Sequence, residues 1–251
     1  MSANNKPILY IFVHSHFCEK GRWTLNHFDI DFEPAYLAPG THMAFAKKHK
    51  LPATSLPILF VNGDKIQGSS NIIDWAEGQC AEPEKSLTPS SDMDTCTEIE
   101  KSLDDRAGVH VRRLYYSEAL IEYPDRVRQV FSNELSFFPK ILLRGMWPMV
   151  RKRMIEMMDL GAEQREDSKR IIEEELDWLD SMFSDGRQYL VGDKFSRADL
   201  TAASLLAPIV RPKEHPVYNK ISMPPKMVSD MEKWSTRPSI KWVRDIYREH
   251  R

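Results

Sequence analysis

Ala53-Thr-Ser-Leu-Pro-Ile-Leu-Phe-Val-Asn-Gly-Asp-Lys-Ile-Gln-Gly-Ser-Ser-Asn-Ile-Ile-Asp-Trp75 is the stretch that decides the fold. Pro57 stands at the mouth of the apolar run Ile58-Leu59-Phe60-Val61, where a proline can begin a strand but not sit within a central one. Asn62-Gly63-Asp64 is a hairpin signal, since its central positions tolerate positive φ. A second strand, Lys65-Ile66-Gln67, leads into Gly68-Ser69-Ser70. There a serine hydroxyl is expected to cap a helix from Asn71 to Gln79, with Ile72, Ile73, Trp75 and Ala76 on its buried face. Free amides, a hydroxyl and the positive end of the helix dipole then make an anion site. Just upstream, Leu56 offers its backbone to an extended peptide, and a cis Leu56-Pro57 bond would turn those groups outward. An extended peptide ending in a carboxylate fits such a site.

The residues before this stretch supply the rest of one domain. Pro7-Ile-Leu-Tyr-Ile-Phe-Val13 is a nearly continuous apolar and aromatic run, which reads as a central strand covered on both faces. After the turn His14-Ser15-His16-Phe17, a helix is expected from Cys18 to Phe28, then a weakly alternating strand from Ile30 to Leu37. Pro39-Gly40 closes that strand, and Thr41 is expected to cap a short helix through Lys50. Strand, helix, strand, helix, strand, strand, helix over residues 7 to 80 is the thioredoxin-like order of elements.

Strand, Leu-Pro, hairpin and serine-bearing helix start together resemble the glutathione-binding half of the glutathione transferase family. In that family the residue before the cis-proline pairs with the cysteinyl backbone of glutathione, and an acidic or amide residue followed by Ser holds the γ-glutamyl carboxylate. The resemblance therefore implies a glutathione site at Leu56, Pro57, Gly68, Ser69 and Ser70, with glutathione as co-substrate. Leu56 and Ser69 match the family positions, whereas Gly68 stands where Glu or Gln is usual. It further implies a homodimer, a hydrophobic electrophile as second substrate and a role in detoxification.

With 251 residues, 41% of them hydrophobic, the chain can bury a substantial core as one large domain or two smaller ones. Its 35 basic and 37 acidic residues nearly cancel, so no global field recruits nucleic acid or an anionic membrane. Three cysteines, Cys18, Cys80 and Cys96, are too few and too oddly counted for a secreted disulfide framework. Met1 to Pro7 lacks the charged-then-apolar pattern of a secretory signal, and no run approaches the ~18 apolar residues of a membrane span. A cytoplasmic protein without membrane or nucleic-acid partners is expected.

Residues 81–91, rich in Pro, Ser and charge, read as a linker between a thioredoxin-like domain (1–80) and an all-helical domain (92–251). Cys96, Ile99, Leu103, Ala107, Val111 and Leu114 step by three or four along one helix. A less regular helical region, 126–158, is expected to break near Pro139 and Trp147-Pro148, and another helix runs from Gln164 to Ser184. Ser196 with Asp199 three residues on forms a capping box before an apolar helix, with Phe195 placed as a staple. This motif resembles the capping box of the transferase family's second domain, so the expected class is α/β plus all-α. Two helices, near 224–236 and 238–248, finish the chain.

Chemistry is expected at Ser15-His16-Phe17-Cys18, where a strand end meets a helix start. A helix N-terminus favours a thiolate, and a hydroxyl there can donate to one. In the resembling family a Ser, Tyr or Cys at this turn assists the glutathione thiol, and Ser15 matches the serine-type position. Cys18 falls at the second cysteine of a Cys-x-x-Cys pair, which makes it the alternative catalytic group for thiol-disulfide chemistry. The plainer readings are that Ser15 only caps the helix and Cys18 only packs. A third reading is a non-catalytic ligand-binding scaffold of the same fold. His14 and His16 have no further ligand at metal spacing, so no metal is expected. Lys20 and Arg22 read either as partners of a carboxylate or as solvated charges. The Met and aromatic residues of 137–158 read as core, or as the wall of an apolar pocket.

Overall fold

The computed structural model describes Lys6–Arg251; the start of the chain read above for a secretory signal, Met1 to Asn5, lies outside the described residues. Residues through Ser86 with Arg128–Val150 form one compact unit, and Leu87–Val127 with Arg151–Arg251 form a second.

In the first unit the strands β1 (Ile8–Ile11), β2 (Glu33–Tyr36), β3 (Ile58–Val61) and β4 (Asp64–Gln67) make one sheet in the order β2-β1-β3-β4. β1 runs parallel to β2 and antiparallel to β3, and β3 and β4 form the hairpin. β1 is thus an inner strand, as its unbroken apolar run requires. Leu9 and Ile11 are fully buried and pack with Cys18, Leu25 and Ile72. Tyr10, pointing the other way by the strand's two-residue period, meets Phe45 and Phe60 at 4.4 and 4.9 Å between ring centroids. Helices α1 (His16–His27), α2 (Thr41–Lys48) and α3 (Ser69–Gln79) complete the expected order.

Two caps differ from the sequence reading. α2 is capped by Gly40 at φ 88°, while the Thr41 hydroxyl, one residue inside the helix, donates to Ala38 O at 2.8 Å. α3 begins at Ser69 rather than Asn71, and its cap is Gly68 rather than a serine, with no side-chain cap bond. At φ 96° and ψ 145°, residue 68 occupies backbone space open to glycine and closed to most L-residues, so the helix starts two residues earlier than the sequence reading has it.

In the second unit α4 (Met93–Leu103) and α5 (Val109–Glu122) are joined by a widened turn at Asp104–Gly108, so the apolar stripe continues across both. Cys96, Leu103, Ala107, Val111 and Leu114 are buried along it. α6 (Pro124–Ser132) and α7 (Phe137–Met157) follow in sequence, but their residues 128–150 belong to the first unit. α7 does not break at its prolines. Pro139 lies in the first turn, where a missing N–H costs nothing, and the helix runs on through Pro148. α8 (Ala162–Met182), α9 (Arg197–Val210), α10 (Pro225–Trp234) and α11 (Pro238–His250) complete the chain.

All fourteen residues of α9 are buried. Its charged groups are accordingly paired: Arg197 meets Glu100 of α4 at 2.5 Å, both side chains nearly inaccessible. Asp199 completes the capping box, accepting from Ser196 N at 2.9 Å and Ser196 Oγ at 2.6 Å, and it also accepts from Leu190 N at 2.7 Å. Phe195 stacks on the His250 ring at 4.2 Å. A second buried carboxylate, Glu118, takes the first amides of α10, Lys226 N at 2.8 Å and Met227 N at 3.0 Å. Asp199→Ala strands the donors on Leu190 and Ser196. It is expected to cost ~2–4 kcal/mol in urea unfolding, with the far-ultraviolet spectrum of the folded state retained.

Candidate active site

The site is built on two helix starts and the loop between them in sequence, all within the first unit. Ser15 ends the turn after β1 in extended backbone, φ −82° and ψ 124°, and caps α1: its hydroxyl oxygen accepts from Cys18 N at 3.3 Å. Accepting that bond leaves the hydroxyl proton free to donate, so capping and assisting a thiolate are compatible uses of one group. Cys18 itself is fully buried. Burial pushes its thiol up to about 11, against the opposing pulls of the Ser15 hydroxyl, the Phe12 backbone and Arg22.

α1 carries the charges that the sequence left undecided between ligand partners and solvated groups. Both are buried. Arg22 pairs with the fully buried Glu19 one turn back at 2.8 Å. Lys20, also fully buried, donates from Nζ to Ser70 Oγ at 3.2 Å. That bond ties the helix headed by Ser15 to the start of α3, and it sets a cation beside the amide end of that helix. Sequence reasoning missed this role for Lys20 because it needs a partner fifty residues away.

The loop before β3 is held from its far side. Leu56-Pro57 is cis. The Gln67 side chain grips the residues ahead of it, accepting from Ala53 N at 3.2 Å and donating from Nε2 to Ala53 O at 2.9 Å and Ser55 O at 2.8 Å. Gly68 N donates to Pro57 O at 2.9 Å, and Asn71 Nδ2 to Gln67 O at 2.7 Å. These bonds commit both ends of the Gln67 amide to residues 53 and 55. Ser69 is buried, and Ser70, half-buried, is the hydroxyl facing Lys20.

α1 crosses close to the proline. A Cβ on Gly21 would stand 3.1 Å from Pro57 Cγ and 3.4 Å from Ile72 Cδ1, so this glycine sets the approach of α1 to Leu56-Pro57 and α3. Behind Ser15, His14 lies edge-on to Phe131 of α6 at 4.4 Å, and Phe131 also meets Phe12 at 5.9 Å. Phe131 and its neighbour Trp147 are buried. Removal from water lowers the His14 pKa to about 4, which keeps the ring neutral beside Ser15. Nothing in the sequence pairs residue 131 with residues 12 and 14.

The glutathione S-transferase N-terminal domain model matches residues 9–84, and the C-terminal domain model matches 140–222. The chain belongs to the glutathione S-transferase family. Among solved structures, glutathione transferase GSTFuA3 from Phanerochaete chrysosporium shares the fold at a TM-score of 0.65 and 13% identity, over 99% of this chain and 98% of that one. The beta-etherase LigF from Sphingobium sp. gives 0.58 at 20% identity, over 96% and 99%. A glutathione S-transferase from Methylobacterium radiotolerans, solved in complex with glutathione sulfonate, gives 0.55 at 20%, over 94% and 92%. Identities this low carry the fold and leave the reaction open. No curated protein matches the chain.

In this glutathione S-transferase family member, two measurements check the packing just described. Gly21→Ala gains helix propensity but crowds the Pro57 ring, for an expected net loss of ~1 kcal/mol; Gly145→Ala, in α7 with nothing within 4 Å of the added carbon, gains about 0.5–1 kcal/mol. His14 titrates lower in the folded chain, about 4 against 6.5, so its contribution to stability is present above pH 6.5 and is lost as pH falls towards 4. His14→Gln is expected to flatten the fall in unfolding free energy over that window by up to ~3 kcal/mol, measured by denaturant titration at each pH.

Proposed function

We propose that this chain is a glutathione transferase that binds glutathione in the first unit and directs its thiolate at a hydrophobic electrophile. The observation carrying the reading is the Lys20–Ser70 bond, which joins the helix start bearing Ser15 to the helix start bearing Ser69 and Ser70. The Leu56 backbone pairs with the cysteinyl unit of the extended tripeptide. Its γ-glutamyl carboxylate lies at the first amides of α3, where the helix dipole and the Lys20 charge favour an anion. Gly68 contributes conformation rather than a contact, so recognition rests on Ser69, Ser70 and main-chain amides.

The glutathione thiol releases its proton to solvent water, and the Ser15 hydroxyl donates a hydrogen bond to the thiolate sulfur that results. Hydrogen bonding to the charged form lowers the thiol pKa; a shift of ~2 units corresponds to about 2.7 kcal/mol, within reach of one such bond and a helix end. The thiolate then forms a carbon–sulfur bond to the electrophile, whose leaving group or added electron pair takes the charge. The raised Cys18 pKa favours Ser15 over a Cys18 mixed disulfide, because a thiol near 11 stays protonated at neutral pH. A homodimer in the cytoplasm belongs to the same proposal, and three free cysteines fit a reducing compartment.

Calorimetric titration with glutathione and turnover of chlorodinitrobenzene test the reading together. Ser15→Ala is expected to lower kcat/KM on the order of tenfold to a hundredfold with glutathione affinity little changed, while Cys18→Ala retains turnover. Loss of turnover in Cys18→Ala with activity kept in Ser15→Ala would establish the thiol-disulfide alternative. Glutathione binding too weak to detect would leave a scaffold of the same fold.

A further inference from the structure

The Met and aromatic residues of α7, read from the sequence as core or as the wall of an apolar pocket, divide: Trp147 is buried, whereas Phe137, Phe138, Met149 and Met157 are exposed. Leu143, Trp147 and Val150 are buried, at spacings of four and three that mark one stripe of the helix. On the opposite side Phe137, Phe138, Ile141, Leu142 and Met149 are between 49% and 80% exposed. At 100° per residue, Phe138, Ile141, Leu142 and Met149 fall on one arc with Phe137 at its edge, and Phe137 and Phe138 meet ring to ring at 5.6 Å. Five large apolar side chains on about three and a half turns are more than scattered surface hydrophobes.

The charge of the same helix says what covers them. Lys140, Arg144, Arg151, Lys152 and Arg153 stand against Glu156 alone, in a chain whose 35 basic and 37 acidic residues otherwise nearly balance. Lys140 and Arg144, both exposed, fall on the flank of the arc beyond Phe137, so cations rim one edge of the patch. Bulky apolar side chains on an exposed arc with Lys or Arg at its edge match an anionic bilayer surface, which offers acyl chains to the one and phosphates to the other. No helix among the described residues is long and apolar enough to cross a membrane.

We propose that the outer face of α7 is a membrane-surface docking site, taking an anionic phospholipid bilayer with Phe137, Phe138, Ile141, Leu142 and Met149 inserted at headgroup depth and Lys140 and Arg144 on the phosphates. None of these side chains is among the residues assigned to glutathione, so the docking site stands whether or not the chain turns over glutathione. Its chemical sense is that electrophiles dissolved in lipid reach a protein held at that interface.

Flotation with phosphatidylcholine vesicles, with and without phosphatidylserine, tests it on the full chain. The wild-type protein is expected to float with the phosphatidylserine-containing vesicles, about tenfold less with phosphatidylcholine alone, and to be released as salt rises. Phe137→Ser with Phe138→Ser, and separately Lys140→Glu with Arg144→Glu, are each expected to lower partitioning on the order of tenfold. These side chains are exposed, so thermal unfolding should be near that of wild type. Failure of the wild-type chain to float, or equal flotation on both vesicle types, overturns the proposal without any variant. So does light scattering in which the Phe137→Ser, Phe138→Ser chain falls to a smaller assembly while vesicle binding is absent, since the face then joins copies of this chain.

Discussion

The approach of α1 to the ring of Pro57 is the constraint on which the candidate site depends. Where most helices present a side chain, residue 21 presents a hydrogen, and the helix settles against Pro57 and Ile72. That contact fixes Ser15 at the head of α1 relative to the loop 53–57 and to the head of α3. Gln67 acts from the other side, binding the backbone of residues 53 and 55 with a single side chain. The Lys20–Ser70 bond closes the arrangement. Each piece is polar or close-packed, and the Lys20 end would be the costly one to leave unmade, because a fully buried ammonium has no water to turn to.

The second unit is organised by a different economy. α9 is buried along its whole length, so its ends cannot be hydrated and must be satisfied from the chain. Asp199 closes the amino end, and Arg197 is neutralised by Glu100. Glu118 does the same for α10, and Asp180 for α11 through Ser239 N at 2.7 Å. Arg165 lies between Glu118 and Asp230, 3.6 and 2.5 Å away. Buried carboxylates at helix starts exchange hydration for amide hydrogen bonds and a favourable dipole, and this lets several helices share one core.

Periodic and local signals were legible without coordinates. Two-residue alternation, the unbroken run at β1, the Asn-Gly hairpin and the Ser196–Asp199 box each depend on neighbours in sequence, so pattern alone located them. The errors also share a cause. Ser69 and Ser70 have the composition of a cap, but whether the cap is serine or Gly68 depends on the backbone angle that the β4–α3 turn takes. Pro139 and Pro148 read as breaks, yet one falls in a first turn that lacks acceptors anyway, and the other sits in a helix that packing carries through. The Met and aromatic residues of α7 looked like core by type. Residue type states what can be buried, and contact decides what is.

From the sequence alone came the thioredoxin-like order of elements, the helical second half, and the two turns, at Ser15 and at 56–70, on which the proposed site rests. Tertiary structure alone decided that Lys20 is buried against Ser70, that Gln67 is occupied by the loop ahead of Pro57, that Phe131 comes to lie on Phe12 and His14, and that one face of α7 stays bare. The division has a physical basis. Backbone preference and hydrophobic period act over a few residues and are written in the local sequence. Burial of a charge or a ring depends on which distant segment arrives beside it, and that is fixed only when the whole core has closed.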